Sequence, residues 1–151
     1  MRTVDLIVIG GGPGGYEIAA GQAARGLSVV LFESGELGGT CLNRGCIPTK
    51  TLLHASAIYR DAKNGAHCGI HTEDIHADYG AAVRRAGDVV GRLRADIAGS
   101  LKDVELVRAR ARLSAGRTVE ADGETYSARR IIIATGSRPA TLPIEGADLC
   151  L

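Results

Sequence analysis

The apolar and polar positions of the chain follow a strand–helix–strand pattern at the start of the sequence. Residues 3–9 and residues 28–33 are short apolar runs, rich in β-branched side chains and closed by turn-forming residues. Such runs are typical of strands buried on both faces of a parallel sheet. The alanine-rich segment 16–27 between them is predicted to be a helix. The first thirty-odd residues therefore indicate a βαβ unit with a right-handed crossover.

Two further helices are predicted after this unit, separated by a loop at residues 64–76. The first helix runs from Pro48 to Lys63, because a proline is tolerated in a first helical turn. The second begins at Asp78 and runs to about Asp103, where apolar residues recur every three or four positions. Its apolar positions are Val83, Ala86, Val90, Leu93, Ile97 and Leu101. Its opposite face carries basic side chains that we interpret as a solvated surface rather than a binding patch: Arg84, Arg85, Arg92, Arg94 and Lys102.

From Val104 onward the pattern changes to short alternating strands. The segments 105–113, 117–122 and 124–128 predict a small antiparallel β-meander, with a turn at Asp122 and Gly123. Residues 129–139 predict another buried strand that ends in a glycine turn, and the remaining tail has no clear periodicity. The predicted fold class is α/β, a Rossmann-like parallel sheet with helices plus this meander. A length of 151 residues corresponds to one domain, residues 1–151.

Composition and charge exclude several classes of protein. Aromatic residues make up only 3% of the chain, so the core is expected to be aliphatic. A net charge of +1 without a basic stripe argues against a nucleic-acid partner. No apolar run approaches the roughly 20 residues of a membrane helix, and the N-terminus lacks a signal-peptide cleavage site. We therefore expect a cytoplasmic location.

The first chemical motif is Gly10-x-Gly12-x-x-Gly15, which lies between the first predicted strand and its helix. Glu33 closes the second strand, and this context fits a dinucleotide-binding fingerprint. Gly10 permits the tight turn, Gly12 lets the backbone approach a pyrophosphate, and Gly15 lets helix and strand pack closely. Glu33 would accept hydrogen bonds from an adenosine ribose, which argues against a 2′-phosphate. A glycine-rich turn without a ligand is the less favoured alternative.

The second motif is GGTCLNRGCIPTK, which contains Cys41 and Cys46. Three kinds of site remain open at this spacing: a metal site, two buried inert thiols, and a redox disulfide that closes a small loop. A metal site would need further thiolates or imidazoles at ligand spacing, and the sequence offers no clear set. We therefore expect no metal. Cys68 and Cys150 are interpreted only as small apolar residues.

The residues around the two cysteines favour the redox disulfide. Gly45 gives the backbone freedom that a small ring needs. A thiolate near the start of a helix is stabilised by the helix dipole, and Lys50 adds positive charge one turn beyond Cys46. A third motif, Ala134 to Ser137, follows a buried strand at the sheet edge where such folds bind ligands. By itself this third motif fits a plain strand exit equally well.

Together these motifs resemble the flavin-dependent pyridine-nucleotide disulfide oxidoreductases, in order and spacing over essentially the whole chain. Within that family, CLNRGCIPTK is most similar to the dihydrolipoamide dehydrogenases, on Leu42, Ile47 and Thr49, and Tyr16 fits the same branch. Glutathione and mercuric reductases tend to carry other residues at these positions and are the alternatives. The resemblance implies FAD as the cofactor.

The resemblance also implies a role for each matching residue. Cys46 would be the charge-transfer thiol nearest the isoalloxazine, Cys41 the interchange thiol that meets the lipoyl sulfur, and Lys50 a neighbour of the reactive flavin nitrogen. Ala111 would contact adenine through its backbone. The residues implied to contact FAD are Gly10, Gly12, Pro13, Gly14, Gly15, Glu33, Ser34, Gly39, Thr40, Cys41, Gly45, Cys46, Lys50, Ala111, Ala134, Thr135 and Gly136.

The resemblance to the dihydrolipoamide dehydrogenases implies a parent enzyme that is a homodimer and passes electrons from dihydrolipoamide to NAD⁺. Their partner is a lipoyl-bearing protein of a 2-oxoacid dehydrogenase or glycine cleavage complex. They are considerably longer, and this chain has no match to their NAD, central and dimerisation domains or to their catalytic His-Glu pair. We therefore expect an incomplete FAD domain with an unfinished sheet edge and exposed apolar surface, unable to run the full reaction alone. A non-catalytic flavin-binding or thiol-redox module is the alternative function.

Overall fold

The computed structural model describes residues 1–138, 140 and 142–149, so Cys150 lies outside the described residues. Two short 3-10 helices cover Gly65–Cys68 and Ala147–Leu149. In the described part of the chain, no helix is long and apolar enough to cross a membrane. The helices are α1 (Pro13–Ala23), α2 (Gly39–Arg44), α3 (Cys46–Lys63) and α4 (Tyr79–Ser100). The strands are β1 (Arg2–Ile9), β2 (Val29–Phe32), β3 (Glu105–Val107), β4 (Arg112–Ser114), β5 (Thr118–Ala121) and β6 (Glu124–Ile133).

These strands form one sheet in the order β3-β2-β1-β6-β5-β4. The pairs β3-β2, β2-β1 and β1-β6 are parallel, and the pairs β6-β5 and β5-β4 are antiparallel. In the register of the parallel part, Ile7 lies between Val30 on one side and Ile131 on the other. The predicted α/β class, with a parallel sheet and an antiparallel meander, is confirmed.

Two of the predicted strand boundaries are wrong. The sequence predicts segments 124–128 and 129–139 as separate strands, but β6 is continuous from Glu124 to Ile133 because it pairs with β5 and then with β1 without a break. It pairs with β5 through its first four residues and with β1 from Tyr126 onward. Segment 105–113, expected as one strand, divides into β3 and β4. The N–H of Ala109 donates to the carbonyl of Val107 at 3.0 Å, and this tight turn takes the chain away from β2.

Helix boundaries differ from the expectation at two starts and two ends, and one short helix is unexpected. Helix α1 ends at Ala23 rather than at Leu27. Helix α1 begins at Pro13 and α3 at Cys46, both earlier than predicted, and α2 was not predicted because six residues are too few to show a helical period. Helix α4 starts after Asp78 as predicted, and the Asp78 Oδ1 accepts a hydrogen bond from the N–H of Ala81 at 2.9 Å. It ends at Ser100, so Lys102 lies outside it.

Apolar side chains pack on both faces of the parallel strands. On one face, Leu6, Val8 and Leu31 pack with α1 and with the end of α4. On the other face, Ile7 and Val30 pack with residues of β5 and β6, and Phe32 meets Tyr126 edge-to-face at 5.0 Å. The core is otherwise aliphatic, as composition predicts. The sheet is thereby fixed from both sides, and the ends of β1, β2 and β6 are held beside one another.

Apolar side chains also remain exposed at one border of the sheet. Ile133, at the end of β6, is 64% exposed, and Leu113 on β4 is 50% exposed. Within the described residues, the last four positions of β6 pair with β1 and with no second strand. This border therefore carries unpaired backbone groups beside exposed apolar side chains.

Candidate functional site

A long depression runs over the carboxyl ends of β1, β2 and β6, and we call it the edge groove. Its larger part has a volume of about 850 Å³ and its smaller part about 380 Å³, and Gly10, Glu33 and Thr135 line both. The larger part is also lined by Gly12, Pro13, Gly14, Gly35, Glu36, Gly39, Thr40, Cys41, Asn43, Arg44, Arg94, Ala134, Gly136 and Ser137. The smaller part is also lined by Ile9, Phe32, Ser34, Ala109, Arg110 and Ala111.

Two glycines of the first motif are required by backbone packing. Gly10 has φ of +107°, and a Cβ there would overlap the carbonyl oxygen of Ala134 at the end of β6. A Cβ at Gly15 would overlap the carbonyl oxygen of Gly10 itself. Gly10 thus lets the end of β1 lie close to the end of β6, and Gly15 lets α1 lie close to the end of β1. The backbone at these contacts forms the base of the groove.

At two other glycines, Gly12 and Gly14, an added side chain would enter open space in the groove. A Cβ at Gly14 would meet nothing within 4 Å, and a Cβ at Gly12 would meet only the Cα of Gly39 at 3.7 Å. Both line the groove above the first turn of α1, which has no side-chain cap and no acidic residue. Free N–H groups at such a helix start bind anionic groups such as phosphates. The missing side chains therefore fit a dinucleotide pyrophosphate in this position.

Glu33 lies where the two parts of the groove meet. Its Oε2 accepts the N–H of Gly11 at 2.7 Å and its Oε1 accepts the N–H of Gly35 at 2.7 Å. These bonds fix the carboxylate at the end of β2. Each carboxylate oxygen has capacity for another hydrogen bond, so Glu33 can still accept from hydroxyl groups such as those of a ribose.

Cys41 and Cys46 form a disulfide, as the sequence predicts, with their Cα atoms 4.7 Å apart. Cys41 belongs to α2 and Cys46 is the first residue of α3, with Gly45 between the two helices. The bridged segment is therefore largely helical rather than an open loop. Cys41 is half-buried and lines the groove, whereas Cys46 is exposed. Among the described residues, no group of three His, Cys, Asp or Glu side chains is arranged to hold a metal ion.

The structure brings most of the predicted cofactor residues to the groove, but not all of them. Gly15 is on the buried side of α1, while Gly45, Cys46 and Lys50 lie outside both parts of the lining. Lys50 is exposed on α3. Ser34 and Ala111 lie in the smaller part, on the opposite side of Glu33 from the disulfide.

The interpretation of Arg94 as a solvated side chain is wrong. Its Nε and Nη2 donate to Oδ1 of Asn43 at 3.0 and 2.7 Å, its Nη1 lies 3.5 Å from Oε2 of Glu36, and it lines the groove. Asn43 and Glu36 were not singled out in the sequence either. Arg94 directly follows Leu93 of the apolar stripe, but the exposed Arg84 follows Val83 in the same way, so the sequence offers no signal that separates them.

An apolar pocket of about 390 Å³ adjoins the groove, and Cys41 lines both. Its walls include Pro13, Tyr16, Leu93 and Ile97, from α1 and α4. Burial raises the pKa of Tyr16, with a further contribution from the neighbouring Glu17 carboxylate. The Tyr16 side chain therefore stays neutral, and one face of the disulfide segment is bordered by apolar surface.

Comparison with known proteins places this arrangement in a family. A dihydrolipoyl dehydrogenase of Thermus scotoductus is 46% identical over 148 residues, covering 97% of this chain and 32% of that protein. One from Geobacillus stearothermophilus is 40% identical over 145 residues, covering 92% of this chain and 31% of that protein. This chain thus spans about a third of the length of these relatives.

A solved structure shows the same fold. The Cu(II) complex of HOCl-induced flavoprotein disulfide reductase RclA from Escherichia coli matches with a TM-score of 0.73 at 28% identity, covering 94% of this chain and 30% of that chain. Residues 4–151 match the family described as pyridine nucleotide-disulphide oxidoreductase. This match covers almost the whole chain, and the chain therefore belongs to the pyridine nucleotide-disulphide oxidoreductase family.

Proposed function

We propose that this chain is the FAD-binding and redox-disulfide part of a dihydrolipoyl dehydrogenase. The observation that carries the proposal is the position of Cys41, which lines the same groove as the open glycine positions and is joined by a disulfide to Cys46. The relatives at 46% and 40% identity bear the name of this enzyme, which favours it over glutathione or mercuric reductase.

The groove residues suit FAD in an extended arrangement. The start of α1, with Gly12 and Gly14, would hold the pyrophosphate, and Glu33 would accept the ribose hydroxyls. The smaller part of the groove, at Ala111, would hold the adenine. The flavin would then lie toward Thr40 and the disulfide. When bound, FAD would take two electrons from the reduced cysteines and supply the hydride chemistry toward NAD⁺.

The two cysteines would carry out thiol–disulfide exchange. A dihydrolipoamide thiolate attacks Sγ of Cys41, the Cys41–Cys46 bond breaks, and Cys46 leaves as a thiolate. The second lipoyl thiolate then attacks the lipoyl sulfur of the mixed disulfide and releases Cys41. Dihydrolipoamide is oxidised to lipoamide with loss of two electrons, the cysteine pair is reduced by two electrons, and the two lipoyl protons pass to the cysteines or to water. Cys46 occupies the first position of α3, where the helix dipole favours a thiolate.

In this proposal, the remaining parts of the activity would come from the rest of a longer protein, since this chain spans about a third of the length of its relatives. They are the NAD⁺ acceptor, the homodimer, and the lipoyl-bearing protein of a 2-oxoacid dehydrogenase or glycine cleavage complex. In this proposal, the residues of this chain supply the cofactor groove and the first oxidation step. Lys50, exposed on α3, would add positive charge near the reactive flavin nitrogen once the cofactor is in place.

The direct test is a visible absorption spectrum of the purified chain with added FAD, before and after anaerobic addition of dihydrolipoamide. We expect a flavin spectrum that differs from free FAD and that gains long-wavelength charge-transfer absorbance with the dithiol. Reduced glutathione should be a much poorer reductant than dihydrolipoamide. A spectrum identical to that of free FAD at saturating protein would contradict cofactor binding by this chain and favour the non-catalytic alternative.

Two matched variants separate the cysteine roles. Cys41→Ser leaves the Cys46 thiolate in place and should show charge-transfer absorbance without any dithiol, whereas Cys46→Ser should show none. Both variants should still bind FAD, and neither should support reduction by dihydrolipoamide. Reduction at the unaltered rate in either variant would exclude the disulfide from the reaction.

A further inference from the structure

The side chain of Asn43 links three segments around the disulfide. Its Nδ2 donates to the carbonyl of Leu37 at 3.0 Å and to the carbonyl of Gly39 at 2.8 Å. Its Oδ1 accepts both Nε and Nη2 of Arg94 from α4. Asn43 lies two residues after Cys41 on α2, so this one amide ties the cysteine's helix to the preceding loop and to α4.

Arg94 determines which way the Asn43 amide faces. A guanidinium can only donate hydrogen bonds, so Oδ1 must point toward Arg94 and the NH₂ group toward the two carbonyls. Glu36 holds the guanidinium from the other side, with Nη1 and Oε2 3.5 Å apart. The Arg94 side chain is only 35% exposed, which favours a fixed rather than a solvated arrangement.

The segment that Asn43 holds is packed directly against the glycine motif. The N–H of Gly38 donates to the carbonyl of Gly11 at 2.8 Å. A Cβ at Gly39 would lie 2.9 Å from the Cα of Gly12, so the first turn of α2 approaches the base of the groove as closely as a backbone can. A rotation of α2 that released Asn43 would therefore move Cys41 relative to the groove.

We propose that Arg94 is a positioning residue for the Cys41–Cys46 pair, acting through the Asn43 amide. The inference rests on the proposed function only in taking this pair to be redox-active. With Arg94 in place, the first turn of α2 holds Cys41 close to Cys46 in the reduced protein as well. Without it, Asn43 can rotate, the two thiols are less well preorganised, and disulfide formation becomes less favourable.

The test measures the equilibrium between protein dithiol plus oxidised glutathione and protein disulfide plus two reduced glutathiones. The background is the full chain with Cys68→Ser and Cys150→Ser, and the free thiols are counted by alkylation and mass spectrometry. Loss of one to two net hydrogen bonds predicts that Arg94→Met lowers the equilibrium constant about fivefold. Arg94→Lys should lower it similarly, because an ammonium keeps the charge but lacks the planar pair of donors.

Control variants make each outcome decisive. Arg92→Met, an exposed position on the same helix, should leave the equilibrium unchanged. If Arg94→Lys matches the parent while Arg94→Met differs, charge rather than positioning is responsible, and the inference is overturned. If Arg94→Met does not fold by circular dichroism, Asn43→Asp replaces it, since the carboxylate keeps the bonds from Arg94 but cannot donate to Leu37 and Gly39. An unchanged constant in Asn43→Asp would also overturn the inference.

The same measurement distinguishes the two proposals. A parent chain whose cysteines do not equilibrate with glutathione at all would contradict the redox function proposed above. A parent that equilibrates normally, alongside unchanged Arg94 variants, would contradict only the role of Arg94.

Discussion

At the scale of single residues, the glycines between residues 10 and 15 have two different structural roles. Gly10 and Gly15 are required because any side chain would overlap backbone atoms of a neighbouring segment. Gly12 and Gly14 face the open groove, where an absent side chain leaves space for a ligand. The motif predicts the tight turn at Gly10 and the close helix–strand packing at Gly15, and the geometry agrees with both. The approach of a pyrophosphate at Gly12 stays a prediction.

Gly15→Ala tests the packing role. We expect it to destabilise the fold by about 1–3 kcal/mol, because the obstructing atom is the Gly10 carbonyl oxygen and backbone cannot move aside cheaply. The matched control on the same helix is Gly21→Ala, whose Cβ would meet nothing within 4 Å. This control should raise stability by about 0.5–1 kcal/mol through helix propensity. Urea denaturation measures both, and equal effects of the two substitutions would contradict the packing role.

At the scale of elements, the start of β2 is joined to β1 through Asp5 and Ser28. Oδ2 of Asp5 accepts the N–H of Ser28 at 3.0 Å and its hydroxyl at 2.7 Å. Hydrogen bonds from the Ser28 side chain and then its backbone lower the pKa of Asp5, and the charge of Arg129 adds to this. The ionised carboxylate therefore stabilises the junction between the two central strands.

This lowered pKa predicts a pH-dependent stability. A carboxyl group whose folded pKa lies below its ordinary value of 3.8 contributes fully above that value and loses its contribution as the pH falls through the folded pKa. The difference in urea midpoint between the parent and Asp5→Asn should thus be constant near neutral pH and shrink in strong acid. Asp88→Asn, at an exposed position of α4, is the control. A difference that is independent of pH would show that the charge of Asp5 contributes nothing.

At the scale of the whole molecule, β6 joins the parallel sheet to the antiparallel meander. Tyr126 lies at this junction, where it is 4% exposed, packs against Phe32 and donates its hydroxyl to Glu124 at 2.8 Å. Because one strand serves both parts of the sheet, a defect at Tyr126 should destabilise both parts together.

Tyr126→Ala should therefore lower the free energy of unfolding by about 3–5 kcal/mol, the usual cost of removing a buried aromatic ring. Tyr79→Ala is the control, since Tyr79 is 72% exposed and should change stability by less than about 0.5 kcal/mol. Hydrogen exchange should show amides of β1 and β5 losing protection together. Loss of protection confined to β5 would mean that the meander unfolds as a separate unit.

The sequence by itself determined the βαβ start, the α/β class and the disulfide. Each of these depends on local signals: apolar runs, glycine spacing, and two cysteines flanking a flexible glycine. Tertiary structure alone decided that β6 is one strand. The exposed Arg129 and Arg130 interrupt its apolar pattern, but pairing with both β5 and β1 keeps the backbone extended through them. Tertiary structure also decided that Arg94 turns from solvent toward Asn43, because that partner lies 51 residues away and no periodicity along α4 encodes it. Local patterns thus specify which elements form, while the contacts between distant elements specify which side chains line the groove.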